Sequence, residues 1–104
     1  MVPNWKLWFE KEGEYVFGPG AYAILKAIEE AGTITEGARN LGMSYRYAWG
    51  VIKKIEKKLD EKLLETYQGG PAGGGGANLT EVGSRLMERF ARYRKELEHV
   101  AERA

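Results

Sequence analysis

Two helix-start signals in quick succession, at Thr33 and Ser44, constrain the fold of this chain more than any other feature of its sequence. Glu36 follows Thr33 by three residues, so the threonine hydroxyl can accept the Glu36 amide while the glutamate reaches back to the Thr33 amide. The helix that this predicts, Ile34 to Leu41, stops at Gly42, where a missing Cβ permits a left-handed backbone. Ser44 then caps a further helix. The sequence therefore predicts two helices joined by a turn of about three residues, the helix-turn-helix pattern.

Further elements are predicted on both sides of this pair. The runs "WKLWFE" and "EYVF", separated by "KEG", predict a β-hairpin. A helix begins at Pro19 and stops at Gly32, with Tyr22, Ile24, Leu25 and Ile28 at helical spacing. The run "KLLETY" predicts a strand, and Thr80 caps a last helix from Glu81 to about Arg103. The expected fold class is α+β, mainly α.

The stretch "ETYQGGPAGGGGANLT", Glu65 to Thr80, contains six glycines among its sixteen residues. A phosphate-binding loop, a flexible linker and the tip of a β-hairpin are the alternatives. A phosphate loop needs a lysine and then a serine or threonine at a helix start, and the tract has neither lysine nor serine. A linker is less favoured because a capped helix follows at once. The tract therefore predicts a glycine-rich wing over residues 68–78, making the domain a winged helix-turn-helix.

Composition removes several classes of chemistry. The chain has no cysteine and one histidine, His99, which excludes disulfides and thiolate nucleophiles and leaves little basis for a metal site. No nucleophile, base and orienting group form a recognisable constellation, so we expect no catalytic residue, no cofactor and no enzyme. Neither a signal peptide nor a long apolar run is present, which favours a cytoplasmic protein without a membrane segment. Charged residues form 30% of the chain and glutamine occurs once, a bias described for thermophilic proteins.

The net charge of +1 conceals a segregation along the chain. Residues 1–43 carry four basic side chains against six glutamates, a net charge of −2. Residues 44–58 carry five basic side chains against one glutamate, a net charge of +4. A basic stripe on one element is the electrostatic footprint of phosphate binding, although a solvated helix face would carry the same pattern.

The run "GTITEGARNLGMSYRYAWGVIKKIEKKLDEKLLETYQGG", followed by "GGGGANLTEVGSRLM", resembles the N-terminal DNA-binding domain of the ModE family of molybdate-responsive regulators. It resembles the LysR family more distantly. The matching features are "G-x-I-x-x-x-A-R-x-L-G-M-S-Y", the "A-W" that follows, the glycine-rich wing and "L-T-x-x-G". The resemblance implies a prokaryotic transcription regulator that binds a two-fold-symmetric DNA operator as a homodimer. Molybdate-sensing relatives carry a C-terminal oxyanion-binding domain, and the residues up to Ala104 show no counterpart of it, so we carry over double-stranded DNA binding and expect no small-molecule site.

The predicted architecture is a single domain over residues 1–104, with a winged helix-turn-helix core at 18–79 and a dimerisation helix at 80–104. The last helix carries an apolar seam at heptad-like spacing, too long for one small domain to cover. A partner subunit is the expected cover, and a helix that folds back on its own core is the alternative. The seam consists of Leu86, Phe90, Tyr93, Leu97 and Val100. Trp5, Trp8 and Phe9 are expected in the core or in the dimer contact.

The recognition helix, 44–59, is expected to bury Ala48, Ile52, Ile55 and Leu59 and to turn its opposite side to DNA. Arg46 fits either a guanine or a phosphate, and Trp49 either DNA or the core. Tyr47 is expected to pack towards the preceding helix. The expected DNA-binding residues are Thr33, Thr35, Ser44, Tyr45, Arg46, Trp49, Lys53, Lys54, Gln68, Gly74 and Gly75. The competing interpretation is a winged-helix module that binds other proteins.

Overall fold

The structure, a computed structural model, describes residues 1–69 and 75–103. Within those ranges, no helix is both long enough and apolar enough to cross a membrane. Gly74 of the expected wing lies outside the described residues. The elements follow in the order β1 (Phe9–Lys11), β2 (Glu14–Phe17), α1 (Pro19–Ala31), α2 (Ile34–Asn40), α3 (Tyr45–Leu59), β3 (Leu64–Tyr67), β4 (Gly76–Leu79) and α4 (Glu81–Arg103).

The first hairpin pairs β1 and β2 antiparallel. Glu12 and Gly13 form its turn with φ of 53° and 80°, the positive values that a two-residue hairpin turn requires. The strand is shorter than "WKLWFE" predicts, and Trp5 and Trp8 are exposed rather than placed in this core. Phe9 alone of the three aromatic residues packs inward, edge-on against Phe90 with ring centroids 5.4 Å apart.

The three central helices begin and end close to the predicted residues. Thr33 Oγ1 accepts the Glu36 amide at 3.0 Å, as expected for the start of α2. The Glu36 carboxylate pairs with Arg39 at 2.7 Å instead of reaching back to Thr33, so only half of the predicted capping box forms. The helix ends at Asn40, one residue early, and Gly42 adopts the left-handed conformation with φ of 70°.

The core lies between the helices and the two hairpins. Its fully buried large side chains are Phe17, Leu25, Ile28, Leu63 and Phe90. Gly37 lets α2 lie directly against Ile28 of α1, since a Cβ there would be 2.8 Å from the Ile28 Cα. Gly83 does the same for α4, because a Cβ would press into the carbonyl oxygen of Leu63.

The last helix divides into two parts along its length. Gly83, Met87 and Phe90 are buried in the core of the protomer. Phe90, predicted to lie in a dimer seam, is 0% exposed, stacks on Tyr22 and meets Phe17 edge-on, so it presents no surface to a partner. Beyond it, Val100 is 54% exposed. The seam is therefore covered from within as far as Phe90, Tyr93 packs partly against Phe9 with ring centroids 5.9 Å apart, and the far end is exposed.

Candidate nucleic-acid interface

Recognition helix α3 presents a basic ridge on the side away from the core. Ser44 Oγ accepts the Tyr47 amide at 3.0 Å and so starts the helix where the sequence predicts. Ala48, Ile52 and Ile55 are buried, as expected, while Leu59 is only partly buried. The face opposite these buried residues carries exposed positions one helical turn apart, which lie side by side because residues i and i+4 share a face. The exposed positions are Arg46, Gly50 and Lys54, with Lys57 beside them.

A groove of about 500 Å³ separates α3 from the wing strand β3. Trp49 and Lys53 line it from α3, and Glu65 and Thr66 line it from β3. Trp49 is 42% exposed, and the Lys53 ammonium lies 5.3 Å from the centre of its ring. The sequence left Trp49 either at the DNA or in the core, and this exposure shows that the placement in the core is wrong. Its ring forms the rim of the groove, next to the wing.

Glu56 fastens the recognition helix to the start of the wing. Its side chain is 7% exposed, and its Oε2 accepts the amides of Leu63 at 2.7 Å and Leu64 at 3.3 Å. Oε1 accepts from the ammonium of Lys53 at 3.0 Å. Burial alone would raise the pKa of Glu56, but the Leu63 amide, Lys53 and the Leu64 amide outweigh it and hold that pKa below its ordinary value. The carboxylate is therefore the charged form in the folded protein near neutral pH.

Lys53 and Lys58 are engaged within the chain. The hydrogen bond from Lys53 to Glu56 raises the pKa of the lysine, so its charge is retained but paired. The Lys58 ammonium donates to the carbonyl oxygen of Tyr15 at 2.9 Å and ties α3 to the first hairpin. In contrast, Arg46, Lys54 and Lys57 make no ion pair within residues 1–69 and 75–103. These three supply the available positive charge of α3.

Tyr47 lies on the other flank of α3 and not against α2. It is 60% exposed and lines a shallow groove with Tyr15, Lys54 and Lys58. The expectation that Tyr47 packs towards the second helix is wrong, because this position shares its face with Val51 and Lys58, which turn towards α1 and the first hairpin. Tyr45, at the first position of α3, is likewise exposed.

The wing is an antiparallel hairpin in which Leu64 pairs with Leu79 and Tyr67 pairs with Gly76. The Tyr67 ring lies over Gly76, where a Cβ would overlap its hydroxyl. The Ala77 amide donates to the carbonyl oxygen of Gly32 at 2.8 Å, which places β4 of the wing beside the turn into α2. Gln68 and Gly75, at the outer end of the hairpin, are exposed.

Two of the predicted site residues, Trp49 and Lys53, line the groove between α3 and β3, and the others that the structure describes do not. Trp49 and Lys53 share it with the wing strand and with Ile34, the first residue of α2. Thr33 is partly buried, with its oxygen engaged by the Glu36 amide, and Thr35 is exposed. Sequence reasoning missed Glu56, although its spacing of one turn from Ile52 placed it on the buried face of the helix.

A profile of the bacterial regulatory helix-turn-helix proteins of the lysR family matches residues 20–84. The transcriptional regulator ModE of Yersinia pestis is 42% identical over 72 residues, which cover 69% of this chain and 27% of that protein. The DNA-binding transcriptional dual regulator ModE of Escherichia coli K12 is 39% identical over the same length, with the same coverage. The chain spans about a quarter of the length of the curated relatives it matches.

A solved structure gives the same fold. The CbnR_DBD–DNA complex matches with a TM-score of 0.60 and 23% sequence identity, covering 81% of this chain and 90% of that one. At that identity the likeness establishes architecture only. The predicted winged helix-turn-helix fold and the predicted resemblance to the ModE and LysR families are both confirmed.

Proposed function

The chain belongs to the lysR family of bacterial regulatory helix-turn-helix proteins, and from that premise we propose that it is a sequence-specific transcription regulator that binds double-stranded DNA. The observation that carries the proposal is the groove shared by α3 and β3, beside the exposed ridge of Arg46, Gly50 and Lys54. A helix and a hairpin on one side of a domain fit two adjacent features of a duplex, a major groove and the neighbouring backbone.

Recognition helix α3 lies in the major groove with its N-terminal half against base edges. Tyr45 and Arg46 stand in its first turn and are exposed. A guanidinium can donate two parallel hydrogen bonds to one guanine, which gives about 1–3 kcal/mol of discrimination against another base. Arg46 is free of ion pairs within the described part of the chain and takes this role, while Trp49 closes the wing side of the interface.

Phosphate contacts come from both sides of that helix. Lys54 and Ser44 contact the backbone from α3, and the hydroxyls of Thr33 and Thr35 contact it from the start of α2. Gln68 and Gly75 contact the DNA backbone or the flanking minor groove. Gly74 is assigned to the same contact from the sequence alone. Lys53 differs from the others because Glu56 already holds its ammonium. The main role of Lys53 is therefore to support the Glu56 carboxylate that holds the wing beside α3.

Dimerisation through α4 completes the proposal. Phe90 is withdrawn from the seam because it is buried, and Leu86 packs against the same core. The remaining seam residues, Tyr93, Leu97 and Val100, leave an apolar strip on the outer half of the helix. We assign the winged core to residues 18–79 and the dimer contact to the later turns of 80–104. A two-fold pair then sets two α3 helices against half-sites about one DNA turn apart.

A protein-binding module remains the competing function, since exposed Tyr45, Tyr47 and Tyr67 would also suit a protein partner. Titration with mixed-sequence duplex DNA at low salt separates the two. The DNA proposal expects non-specific binding with a dissociation constant at or below about 10⁻⁴–10⁻⁶ M. Selection of bound duplexes from a random pool should then yield a two-fold-symmetric site. Absence of any duplex binding at low salt would leave the protein-binding alternative.

A further inference from the structure

Gly50 stands at the middle of the exposed face of α3, and no contact within the described chain requires a glycine there. A Cβ built at this position meets no heavy atom within 4 Å. Its backbone is helical, without the positive φ that favours glycine at Gly42. By contrast, Gly37 and Gly83 stand where a Cβ would strike the backbone of a neighbouring element.

Glycine in the interior of a helix destabilises it relative to alanine. It has more backbone freedom to lose on folding than any other residue, so alanine at the same exposed position would stabilise the helix. The helix nevertheless runs through Gly50 from Tyr45 to Leu59. With packing, turn geometry and backbone strain all removed as explanations, the reason lies in what approaches α3 from outside.

The surroundings of Gly50 indicate what approaches. Arg46 precedes it by one turn and Lys54 follows it by one turn, both exposed on the same face. Tyr47 and Lys53 stand at three residues on either side, towards the two flanks of the helix. Gly50 is therefore a position without a side chain between two exposed cations, which are available to an anionic or hydrogen-bonding partner that approaches the helix.

We propose that Gly50 is a specificity-determining residue. It lets the base edges on the floor of a major groove touch the backbone of α3, which brings Arg46 within reach of a base while Lys54 stays on the phosphates. Any side chain at this position would hold the helix away from the floor and leave the Arg46 guanidinium on the phosphates as well. The inference rests on the proposed DNA binding and adds to it the depth at which the helix docks.

Two alanine substitutions test the inference against each other. Gly50→Ala should raise Tm by a few degrees because helix α3 gains stability. It should also weaken binding to the duplex selected by the wild-type protein at least tenfold, and binding to an unrelated duplex much less. Gly20→Ala is the matched control, because Gly20 is exposed in α1 and a Cβ there also meets nothing within 4 Å. That variant should keep the affinity of the wild type for both duplexes.

The outcomes separate this inference from the function on which it rests. If the wild type selects a duplex and Gly50→Ala binds it equally well, or loses the same factor on both duplexes, the inference is overturned while DNA binding stands. A lowered Tm for Gly50→Ala would overturn it too, since the glycine would then serve the fold. If the wild type binds no duplex at all, the proposed function and the inference fall together.

Discussion

The carboxylate of Glu56 in α3 accepts a hydrogen bond from the backbone amide of Leu63, at 2.7 Å, one residue before β3 begins. The Leu64 amide donates to the same oxygen. One buried side chain therefore fixes the direction in which the wing leaves the recognition helix. The relative position of the two proposed DNA-binding elements depends on this contact.

Replacing Glu56 by leucine should destabilise the protein strongly. The amides of Leu63 and Leu64 would lose their acceptor in a buried place, and a buried polar group without a partner costs about 1–3 kcal/mol. Urea unfolding should register that loss, with a smaller one for Glu56→Gln, which keeps an oxygen acceptor. Glu61→Gln, an exposed change in the following loop, is the control. Equal losses for Glu61→Gln and Glu56→Leu would contradict the assignment.

Glu56 should also make stability depend on pH in the acid range. Its pKa in the folded protein lies below the ordinary value of 4.5, so folding favours the ionised form. The resulting stabilisation is fully present above pH 4.5 and is lost as the pH falls through the folded-state pKa. Thermal unfolding across that range should show that the difference in stability between wild type and Glu56→Gln becomes smaller on acidification. A difference that becomes larger on acidification would contradict the lowered pKa of Glu56.

Arg46→Ala should weaken binding to the selected duplex more than binding to unrelated DNA. If the guanidinium reads a base, affinity for the selected duplex falls by about 1–3 kcal/mol, with a much smaller fall on unrelated DNA. Fluorescence anisotropy with both duplexes measures the two losses. Arg103→Ala, at the far end of α4, should change neither. Equal losses on the two duplexes would reassign Arg46 to a phosphate contact.

Salt should weaken DNA binding steeply. If a dimer neutralises about four to six phosphates, the logarithm of the affinity should fall against the logarithm of salt concentration with a slope of about −4 to −5. Lys54→Ala removes one proposed phosphate contact from each protomer and should make the slope shallower, whereas Lys26→Ala in α1 should leave it unchanged. A slope near zero for the wild type would exclude a binding mode based on phosphates.

Leu97→Asp should give a folded monomer. The end of the seam at Val100 is exposed, and a carboxylate placed at Leu97 would be buried without a partner in a dimer. Sedimentation should show a dimer for the wild type and a monomer for this variant, with unchanged helix content by circular dichroism. Glu96→Asp, on an exposed neighbouring position, should remain dimeric. A monomeric wild type would remove the dimer from the account.

Elements with local signals could be predicted from the sequence. Caps at Thr33, Ser44 and Thr80 and glycines after α1 and α2 act over a few residues, so they specify helix ends without reference to tertiary contacts. The oxygen of Thr80 accepts the Gly83 amide at 3.0 Å, where the cap was predicted. The order of elements and the wing followed from the same signals.

Contacts between distant segments could not be predicted in the same way. Whether Phe90 covers its own core or a partner depends on where β1 and α1 lie, and a heptad-like spacing is identical in both cases. In the sequence Glu56 is only one acidic residue within a basic run. Its role becomes visible when the structure places the amides of Leu63 and Leu64 beside it. The exposed side of Tyr47 likewise depends on which flank of α3 faces the first hairpin.

Whether α3 and the wing face the same duplex can be measured by amide chemical-shift changes in the isotope-labelled protein on addition of duplex DNA. The largest changes are expected at residues 45–54 of α3 and at Gln68 and Gly75 in the wing, with little change in the outer half of α4. Changes confined to the first hairpin and α4, or changes in α3 without any in the wing, would contradict this arrangement.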